Sequence, residues 1–325
     1  MAVALADVSA RRFPAPEDGL EALGVLADAL PDVPTAALKR LFASGQVLRA
    51  GRACGAGQRL AAGEELSVAA GALARLERVS PAPLPGFAVL YEDPGLLACF
   101  KPAGVSVVAE RGASERPFLG AVLHHLASRP GRPRLVHRLD RETSGVVLVA
   151  LDRATLRELG RQFADREVGK EYLALVHGAP REDTGRVELP LAVERRPRRG
   201  RPPVTWGRGK EAATAWEVVE RFGRHSLLRA CPETGRQHQV RAHLAALGHP
   251  LVCDAAYGGR GPLLLSALKR GRYRNKGEER PLLARVALHA RRLRFVRAGA
   301  PCEVVAPLPA DFERALACLR RHDRR

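Results

Sequence analysis

The residues best suited to chemistry lie in one charged turn, 137–145 (His-Arg-Leu-Asp-Arg-Glu-Thr-Ser-Gly), which is followed by the apolar run 146–150. Five consecutive apolar residues, mostly β-branched, are typical of a strand covered on both faces, and Thr, Ser and Gly favour a turn before it. Asp140 is therefore predicted on a loop at the start of a rigid central strand. Arg138 and Arg141 favour its ionised form. A sheltered carboxylate can act as a nucleophile or a general base, whereas on an open surface the same turn is an ordinary ion pair.

This turn resembles the signature loop of the RluA-type pseudouridine synthases, which reads His-Arg-Leu-Asp, two variable residues, Thr-Ser-Gly and an apolar strand. Every fixed position is present. Other stretches resemble further motifs of that family, and they occur in the family's order over about residues 87–310. They are Lys101-Pro102-Ala103-Gly104, Lys170-Glu171-Tyr172, the run 209–216, Thr234-Gly235-Arg236-Gln237-His238-Gln239-Val240-Arg241-Ala242-His243, the run 254–259 and Leu288-His289-Ala290. Cys253 stands where the family usually has Gly.

The resemblance implies an enzyme that isomerises uridine in RNA to pseudouridine and needs no metal or other cofactor. Asp140 would be the essential carboxylate, either attacking the sugar or removing a ribose proton. Arg241 would pair with Asp140, and Tyr172 would lie against the target uracil, where stacking on an aromatic ring stabilises an extruded base by about 1–3 kcal/mol. Four further motif residues are expected to bind the substrate: His137, Arg138, Arg236 and His238.

The elements that must position these residues are predicted from local patterns. Thr234 and Gln237 have capping-box spacing, and an apolar stripe follows at Val240, Leu244 and Leu247, which indicates a helix. His238 and Arg241 are three positions apart and would project to a similar side of it. The fold implied by the resemblance is α+β: a mixed, mainly antiparallel sheet flanked by helices, preceded by a small α/β unit.

A proline-rich stretch at 81–86 is predicted to link a small domain, 1–80, to a catalytic domain, 87–310, which ends in a basic helix at 311–325. Within the first domain, 35–45 is predicted to form a short amphipathic helix followed by short strands. This order resembles the alpha-L RNA-binding module. The residues expected to contact RNA there are Lys39, Arg40, Arg49 and Arg52, the alternative being a solvated face on an accessory domain.

The charge balance indicates a polyanionic partner. Lys and Arg number 53 against 35 Asp and Glu, which gives a net charge of +18. Residues 1–80 contain nine basic and nine acidic residues, so the whole excess lies beyond residue 80. One concentration is the loop 194–210, which either neutralises RNA phosphates or is simply solvated. Its RNA-binding candidates are Arg195, Arg196, Arg198 and Arg199.

Several classes of protein do not fit the sequence. The chain starts without the basic and apolar pattern of a signal peptide and has no apolar run of the roughly 18 residues that a membrane-spanning helix needs. The six cysteines show no Cys-x-x-Cys spacing, which argues against a zinc site and a disulfide scaffold. We therefore expect a cytoplasmic monomer with reduced cysteines, no metal and no membrane partner.

The expected substrate is large-subunit ribosomal RNA, because the companion RNA-binding unit favours it by family habit, and transfer RNA is the second candidate. Two other classes are considered. A non-catalytic RNA-binding or ribosome-assembly factor has no use for Asp140, Tyr172 and Arg241 together. A phosphotransferase would use the His-Arg-Leu-Asp sequence in a catalytic loop, but the sequence has no Gly-rich phosphate loop with a suitable Lys and no Asp-Phe-Gly.

Overall fold

A computed structural model describes residues 10–76, 79–107, 117–127, 133–194, 202–207, 209–269, 273 and 278–324. The chain divides into two compact units, one formed by residues 1–84 and 108–134 and the other by residues 85–107 and 135–325. The sequence-based division instead keeps the segment 108–134 with residues 87–310. Contacts of the described part of this segment accompany its grouping with the first unit: Ala82 N donates to Gly120 O at 3.1 Å, and a Cβ on Gly120 would press against Ser80 O.

The helices, in chain order, are α1 (Ala22–Ala29), α2 (Thr35–Ala43), α3 (Ala70–Ala74), α4 (Phe118–His125), α5 (Arg153–Ala164), α6 (Gln239–Ala246), α7 (Leu265–Lys269) and α8 (Ala310–His322). The strands are β1 (Ala10–Pro14), β2 (Leu20–Glu21), β3 (Val47–Arg49), β4 (Arg52–Ala53), β5 (Arg59–Leu60), β6 (Glu65–Ala69), β7 (Ala88–Glu92), β8 (Leu96–Lys101), β9 (Arg134–Leu135), β10 (Ser144–Ala150), β11 (Gly169–His177), β12 (Thr184–Glu188), β13 (Leu191–Val193), β14 (Val204–Trp206), β15 (Ala213–Arg221), β16 (His225–Pro232), β17 (Leu288–Arg297) and β18 (Ala300–Val305). In the described part of the chain, none of these helices combines the length and apolarity that crossing a bilayer requires.

The first unit contains a sheet with strand order β1-β6-β3-β4, and Leu26, Leu38 and Leu66 meet in its apolar core. The predicted helix α2 is confirmed, and Gly45 follows it with a positive φ of 69°. The helix begins at Thr35, and its N-cap is Pro34, which makes no side-chain capping hydrogen bond.

The predicted RNA-binding residues of the first unit differ in how far their side chains are exposed and free to bind RNA. Lys39, Arg40 and Arg52 are exposed. Arg49 is half-buried, and its Nε donates to Glu64 Oε1 at 3.0 Å. Its guanidinium is therefore committed to a carboxylate just outside the acid-free stretch that drew attention to it. Arg195, Arg196, Arg198 and Arg199 lie outside the described residues.

The second unit is built on a large sheet of order β12-β15-β16-β11-β17-β10-β8-β7, with β18 added beside β17. The pair β10 and β17 is parallel, whereas β10–β8, β11–β17, β11–β16 and β15–β16 are antiparallel. The expected mixed, mainly antiparallel α+β fold is thus confirmed. Gly145 is needed at the close approach of β10 and β17, because a Cβ there would overlap the carbonyl oxygen of Ala290.

The predicted terminal helix is an integral part of this unit. Phe312, Leu316 and Leu319 of α8 are buried against Leu175 of β11 and Leu227 of β16. Burial of such side chains stabilises by about 1.5–3 kcal/mol each, so α8 closes one face of the sheet. The six cysteines are free thiols.

Candidate active site

Sheet register brings the site elements to one end of the central strands. Gly145 of β10 is level with Ala290 of β17, and Ala290 is level with Tyr172 of β11. Tyr172 is in turn level with Ala230, near the end of β16. The loop before β10, the start of β11 and the segment after β16 therefore converge.

A cavity of about 510 Å³ lies at this convergence. All seven residues predicted from the sequence to be catalytic or substrate-binding line it: His137, Arg138, Asp140, Tyr172, Arg236, His238 and Arg241. Residues that were not predicted also line it, among them Phe163, Arg166 and Lys170. Its size is within the range of small-ligand pockets and accommodates one extruded nucleoside.

Arg241 has two carboxylate partners, Asp254 and Asp140. Its Nε and Nη2 donate to Asp254 at 2.7 and 2.9 Å, whereas its Nη1 lies 3.6 Å from Asp140 Oδ2. The side chain of Asp254 is 1% exposed and that of Asp140 is 20% exposed. Although burial disfavours the charged form of Arg241, Asp254 and then Asp140 raise its pKa. The resemblance implies a pair of Arg241 with Asp140, and the two groups do face each other at 3.6 Å. Asp254 is a further partner that was not predicted: it holds the guanidinium in place, while Asp140 remains open to the cavity.

His238 lies between Asp140 and Tyr257. Its Nδ1 is 2.9 Å from the Tyr257 hydroxyl, and its Nε2 is 3.9 Å from Asp140 Oδ1. The backbone of His238 is left-handed, with φ 52° and ψ 20°, which is rare for a residue other than glycine. Burial lowers the pKa of His238, against the opposing charge of Asp140. The imidazole is thus held neutral beside the carboxylate.

The left-handed conformation of His238 also places the start of the helix later in the chain than the sequence pattern predicts. Helix α6 begins at Gln239, and the predicted pairing of Thr234 with Gln237 does not occur. Instead, Thr234 Oγ1 donates to Gln239 Oε1 at 2.6 Å, and Arg236 N donates to the same oxygen at 3.0 Å. The apolar stripe is buried at Val240 and Leu244. Leu247 is exposed, so its place in the stripe was wrongly predicted.

His137 anchors the catalytic loop. Its Nε2 accepts a hydrogen bond from Leu148 N at 3.0 Å, and its ring stacks on Phe163 with centroids 4.8 Å apart. Burial lowers its pKa to about 4, and the charge of Lys170 adds to this effect. One ring nitrogen is therefore occupied by backbone, which limits the part that His137 can take in substrate binding.

The cavity wall is strongly cationic. Among the described residues, five cations and one carboxylate line it: Arg138, Arg166, Lys170, Arg236 and Arg241 against Asp140. Burial lowers the pKa of Lys170 to about 8, helped by Arg166, so this amine is still mainly protonated at neutral pH. Such a wall favours a phosphate-bearing ligand. In the described residues there is no group of three or more His, Cys, Asp or Glu side chains placed to hold a metal ion.

Comparison with known proteins adds independent evidence. Residues 95–246 match the family model described as RNA pseudouridylate synthase. The ribosomal large subunit pseudouridine synthase D of Xanthomonas campestris pv. campestris is 35% identical over 93% of this chain and 89% of its own length. The chain belongs to the RluA-type RNA pseudouridine synthases.

Other members of the family match as well. The dual-specificity RNA pseudouridine synthase RluA of Escherichia coli K12 is 34% identical over 73% of this chain and 99% of its own length. Among solved structures, human RNA pseudouridylate synthase domain containing 4 has a TM-score of 0.55 and 26% identity, covering 72% of this chain and 93% of that one. The chain is thus an RNA pseudouridine synthase, an enzyme that isomerises uridine in RNA. The alternatives of a non-catalytic factor and of a phosphotransferase are set aside.

Lys101, to which the sequence analysis gave no role, supports the loop that carries Asp140. Lys101 is fully buried, and its Nζ donates to the carbonyls of Pro102, Val105 and Arg141 at 2.8, 2.8 and 3.1 Å. Burial lowers its pKa to about 7, while Glu142 and then Asp140 oppose the shift. Because Arg141 directly follows Asp140, Lys101 ties the loop to the end of β8. Its place in the Lys-Pro-x-Gly motif was the signal for this role.

Proposed function

We propose that Asp140 is the catalytic carboxylate of this synthase and acts on the ribose of an extruded uridine. The observation that carries the proposal is the position of its carboxylate, partly exposed in the cavity and 3.6 Å from a guanidinium that Asp254 already holds. A preorganised cation stabilises a carboxylate when substrate displaces water from it. At the same time, Asp140 keeps lone pairs available for the reaction.

Tyr172 is proposed to stack on the target uracil. Burial raises its pKa well above the ordinary value, and the charge of Asp140 adds to the shift. Tyr172 therefore remains a neutral phenol at physiological pH, suited to stacking and to donating a hydrogen bond rather than to removing a proton.

The other cavity residues are proposed to hold the RNA around that base. Arg138 is exposed at the cavity wall and would fill the space left by the flipped nucleotide. Arg236 lies on the same wall, with its Nε donating to Glu211 O at 3.1 Å, and would bind a phosphate with its remaining donors. His238 and His137 would act mainly through the loop, His238 by orienting Asp140 and His137 by anchoring the backbone.

Large-subunit ribosomal RNA is the proposed substrate, and transfer RNA is the second candidate. A large-subunit enzyme matches 93% of this chain, including the small first unit that carries exposed Lys39, Arg40 and Arg52. A relative named as a dual-specificity enzyme matches 73% of the chain. For this reason transfer RNA is retained as the second candidate substrate. We propose that the three exposed cations contribute to RNA binding and that the enzyme works as a monomer in the cytoplasm. Light scattering of the purified protein would test the monomer.

The catalytic assignment is tested with Asp140→Asn, which keeps the shape of the side chain. We expect uridine isomerisation to fall by about 10⁴-fold or more, as for other residues that act on the reacting atoms, with RNA affinity nearly unchanged. Asp183→Asn, a substitution of an exposed carboxylate paired with Arg221, is the matched control. Activity retained by Asp140→Asn would refute the assignment.

The substrate is tested by chemical mapping of pseudouridine in total RNA from cells with and without the gene. We expect one or more large-subunit positions to lose the modification in the deletion strain. Loss confined to transfer RNA would select the second candidate instead. Complementation with Asp140→Asn, which should not restore the modification, separates catalysis from an indirect effect of RNA binding.

A further inference from the structure

A second cavity lies at the far end of the strands that carry the active site. Its volume is about 450 Å³. His177 of β11 and His225 of β16, which are level with each other in the sheet, line it, whereas Tyr172 and Pro232 of the same two strands line the catalytic cavity. Five residues of extended strand separate His177 from Tyr172, which is about 17 Å.

The charges around this second cavity favour an anion. Arg224 and Arg260 line it together with the two imidazoles. The nearby carboxylate is that of Asp323. Its Oδ2 is 2.7 Å from His225 Nδ1 and accepts from Arg224 N at 3.0 Å, and its Oδ1 lies 3.6 Å from Arg224 Nε. The Asp323 side chain is 1% exposed and joins the end of α8 to β16, so it offsets part of the charge of Arg224 but not that of Arg260.

The two arginines are arranged differently. Arg224 Nη2 donates to Ala267 O at 2.6 Å, which fixes the direction of its guanidinium. Arg260 is exposed; among the described residues, no carboxylate lies within 4 Å of its guanidinium. Its backbone N–H points at His177 Nε2 at 3.5 Å. Burial lowers the pKa of His177 to about 4, helped by His225 and Arg260, so the imidazole is neutral and can either accept or donate a hydrogen bond.

The floor of the cavity is apolar and is formed by Val252, Leu263 and Leu268. A phosphate alone would leave most of the volume empty, whereas a phosphodiester with its ribose places charge at the arginines and sugar carbons on the floor. The enzyme acts on RNA, and its excess of basic residues lies beyond residue 80. We propose that this second cavity binds a backbone phosphodiester of the RNA substrate, with Arg224 and Arg260 meeting the phosphate.

This inference rests on the proposed action on structured RNA and is independent of the role given to Asp140. It predicts a contact that sets affinity and register without reading sequence, because phosphate contacts position the protein while base contacts specify the site. The contact would also anchor the RNA well away from the flipped base.

Arg260→Gln is the test variant, and Arg314→Gln, an exposed arginine of α8 outside both cavities, is the matched control. Affinity for a fluorescein-labelled hairpin RNA is measured by anisotropy between about 50 and 200 mM KCl. We expect Arg260→Gln to weaken binding by about three- to tenfold and to reduce the salt slope by about one, while the turnover rate at saturating RNA is unchanged. A double variant with Arg224→Gln should weaken binding further.

Equal affinities of Arg260→Gln and Arg314→Gln for the RNA would overturn the proposal. So would a result in which inorganic phosphate raises the melting temperature of the wild type but not of Arg260→Gln while RNA affinity is unaffected, since the cavity would then take a small free anion. Asp140→Asn, carried in parallel, should bind the hairpin like the wild type. Any failure of the catalytic assignment would therefore appear in turnover and not in this measurement.

Discussion

Two arginines in the second unit, Arg297 and Arg241, each face two carboxylates with the same three guanidinium nitrogens. They differ in whether the second carboxylate is hydrogen-bonded. Arg297 donates through Nε and Nη2 to Asp93 at 2.8 and 2.9 Å and through Nη1 to Glu158 at 2.7 Å. Arg241 donates through Nε and Nη2 to Asp254 in the same way, but its Nη1 stays 3.6 Å from Asp140. The first network is closed, and the second is left open on one side.

We infer that the difference separates a structural ion pair from the proposed reactive one. In the closed network, the Arg297 guanidinium lowers the pKa of Asp93 to about 2, and Asp93 lines neither of the two cavities described above. In the open network, Asp254 provides the hydrogen bonds that a buried guanidinium needs. Asp140 is therefore not needed to satisfy Arg241, and in its proposed catalytic role it would meet a cation that is already oriented before substrate binds.

The largest effect is expected from Arg241→Met. It leaves the carboxylate of Asp254, which is 1% exposed, without its partner, so the free energy of unfolding should fall by about 3–5 kcal/mol. Turnover should fall by about 10²–10³-fold, the range found when one preorganised donor is removed. Urea unfolding and single-turnover assays measure the two effects.

A double variant, Arg241→Met with Asp254→Asn, separates the two roles of Arg241. Neutralising Asp254 should recover much of the lost stability, because no buried charge is then left unpaired, but it should not recover turnover. Arg297→Met is the counterpart in the closed network and should lower stability without changing turnover. A stable but inactive Arg241→Met enzyme would mean that Asp254 does not depend on this guanidinium.

Asp93→Asn is expected to have the next largest effect, a loss of about 1–2 kcal/mol of stability at neutral pH with unchanged turnover. The pKa of Asp93 is lower in the folded state than in the unfolded chain. Its contribution is therefore complete above about pH 4 and is lost as the pH falls toward about 2. Urea unfolding of both proteins across this range should show the difference disappearing in acid. A difference independent of pH would point to packing instead of charge.

Tyr257→Phe should have a smaller effect, seen mainly in turnover. The substitution keeps the ring against Arg241, whose Cζ is 5.1 Å from the ring centroid. It removes a hydroxyl that is bound to His238 and is also hydrogen-bonded to the backbone of Val204, so a small loss of stability should accompany the effect on turnover. The loss of the bond to His238, about 1 kcal/mol, corresponds to roughly fivefold in kcat, with KM unchanged. Tyr91→Phe removes a hydroxyl bound to Asp93 in the closed network and is the matched control. Equal kcat values for the two variants would exclude an effect of His238 on Asp140.

The open network could be predicted from the sequence only in part. The motifs identified Asp140 and Arg241, because residue types at fixed spacing carry the resemblance, and all seven residues predicted to be catalytic or substrate-binding line one cavity. The positions of Asp254 and Tyr257 depend on a loop whose path is set by long-range packing. The left-handed backbone of His238 could not be predicted from the sequence either. Local propensity favours a capping box there, whereas tertiary contacts impose another conformation.

The smallest effect is expected where the loop that carries Asp254 is strained. Cys253 has a φ of 64°, a conformation that favours glycine, at the motif position where the resemblance leads us to expect glycine. Its Sγ donates to Leu283 O at 3.3 Å, which offsets part of the strain. Cys253→Gly should therefore raise stability by only about 0.5–1 kcal/mol. Ala298→Gly, at a φ of 51° beside Arg297, is the equivalent change in the closed network.

Thermal melts should move upward for both glycine variants, and their turnover decides what the strain does. If Asp254 is placed by its bonds to Arg241, Cys253→Gly should leave kcat and KM within about twofold, because two charge-assisted bonds outweigh the backbone preference of one neighbour. If turnover fell while stability rose, the strain at Cys253 would itself be holding Asp254 against Arg241. Ala298→Gly has no route to the reactive carboxylate, so a matching fall in its turnover would show that the effect is not specific to the open network.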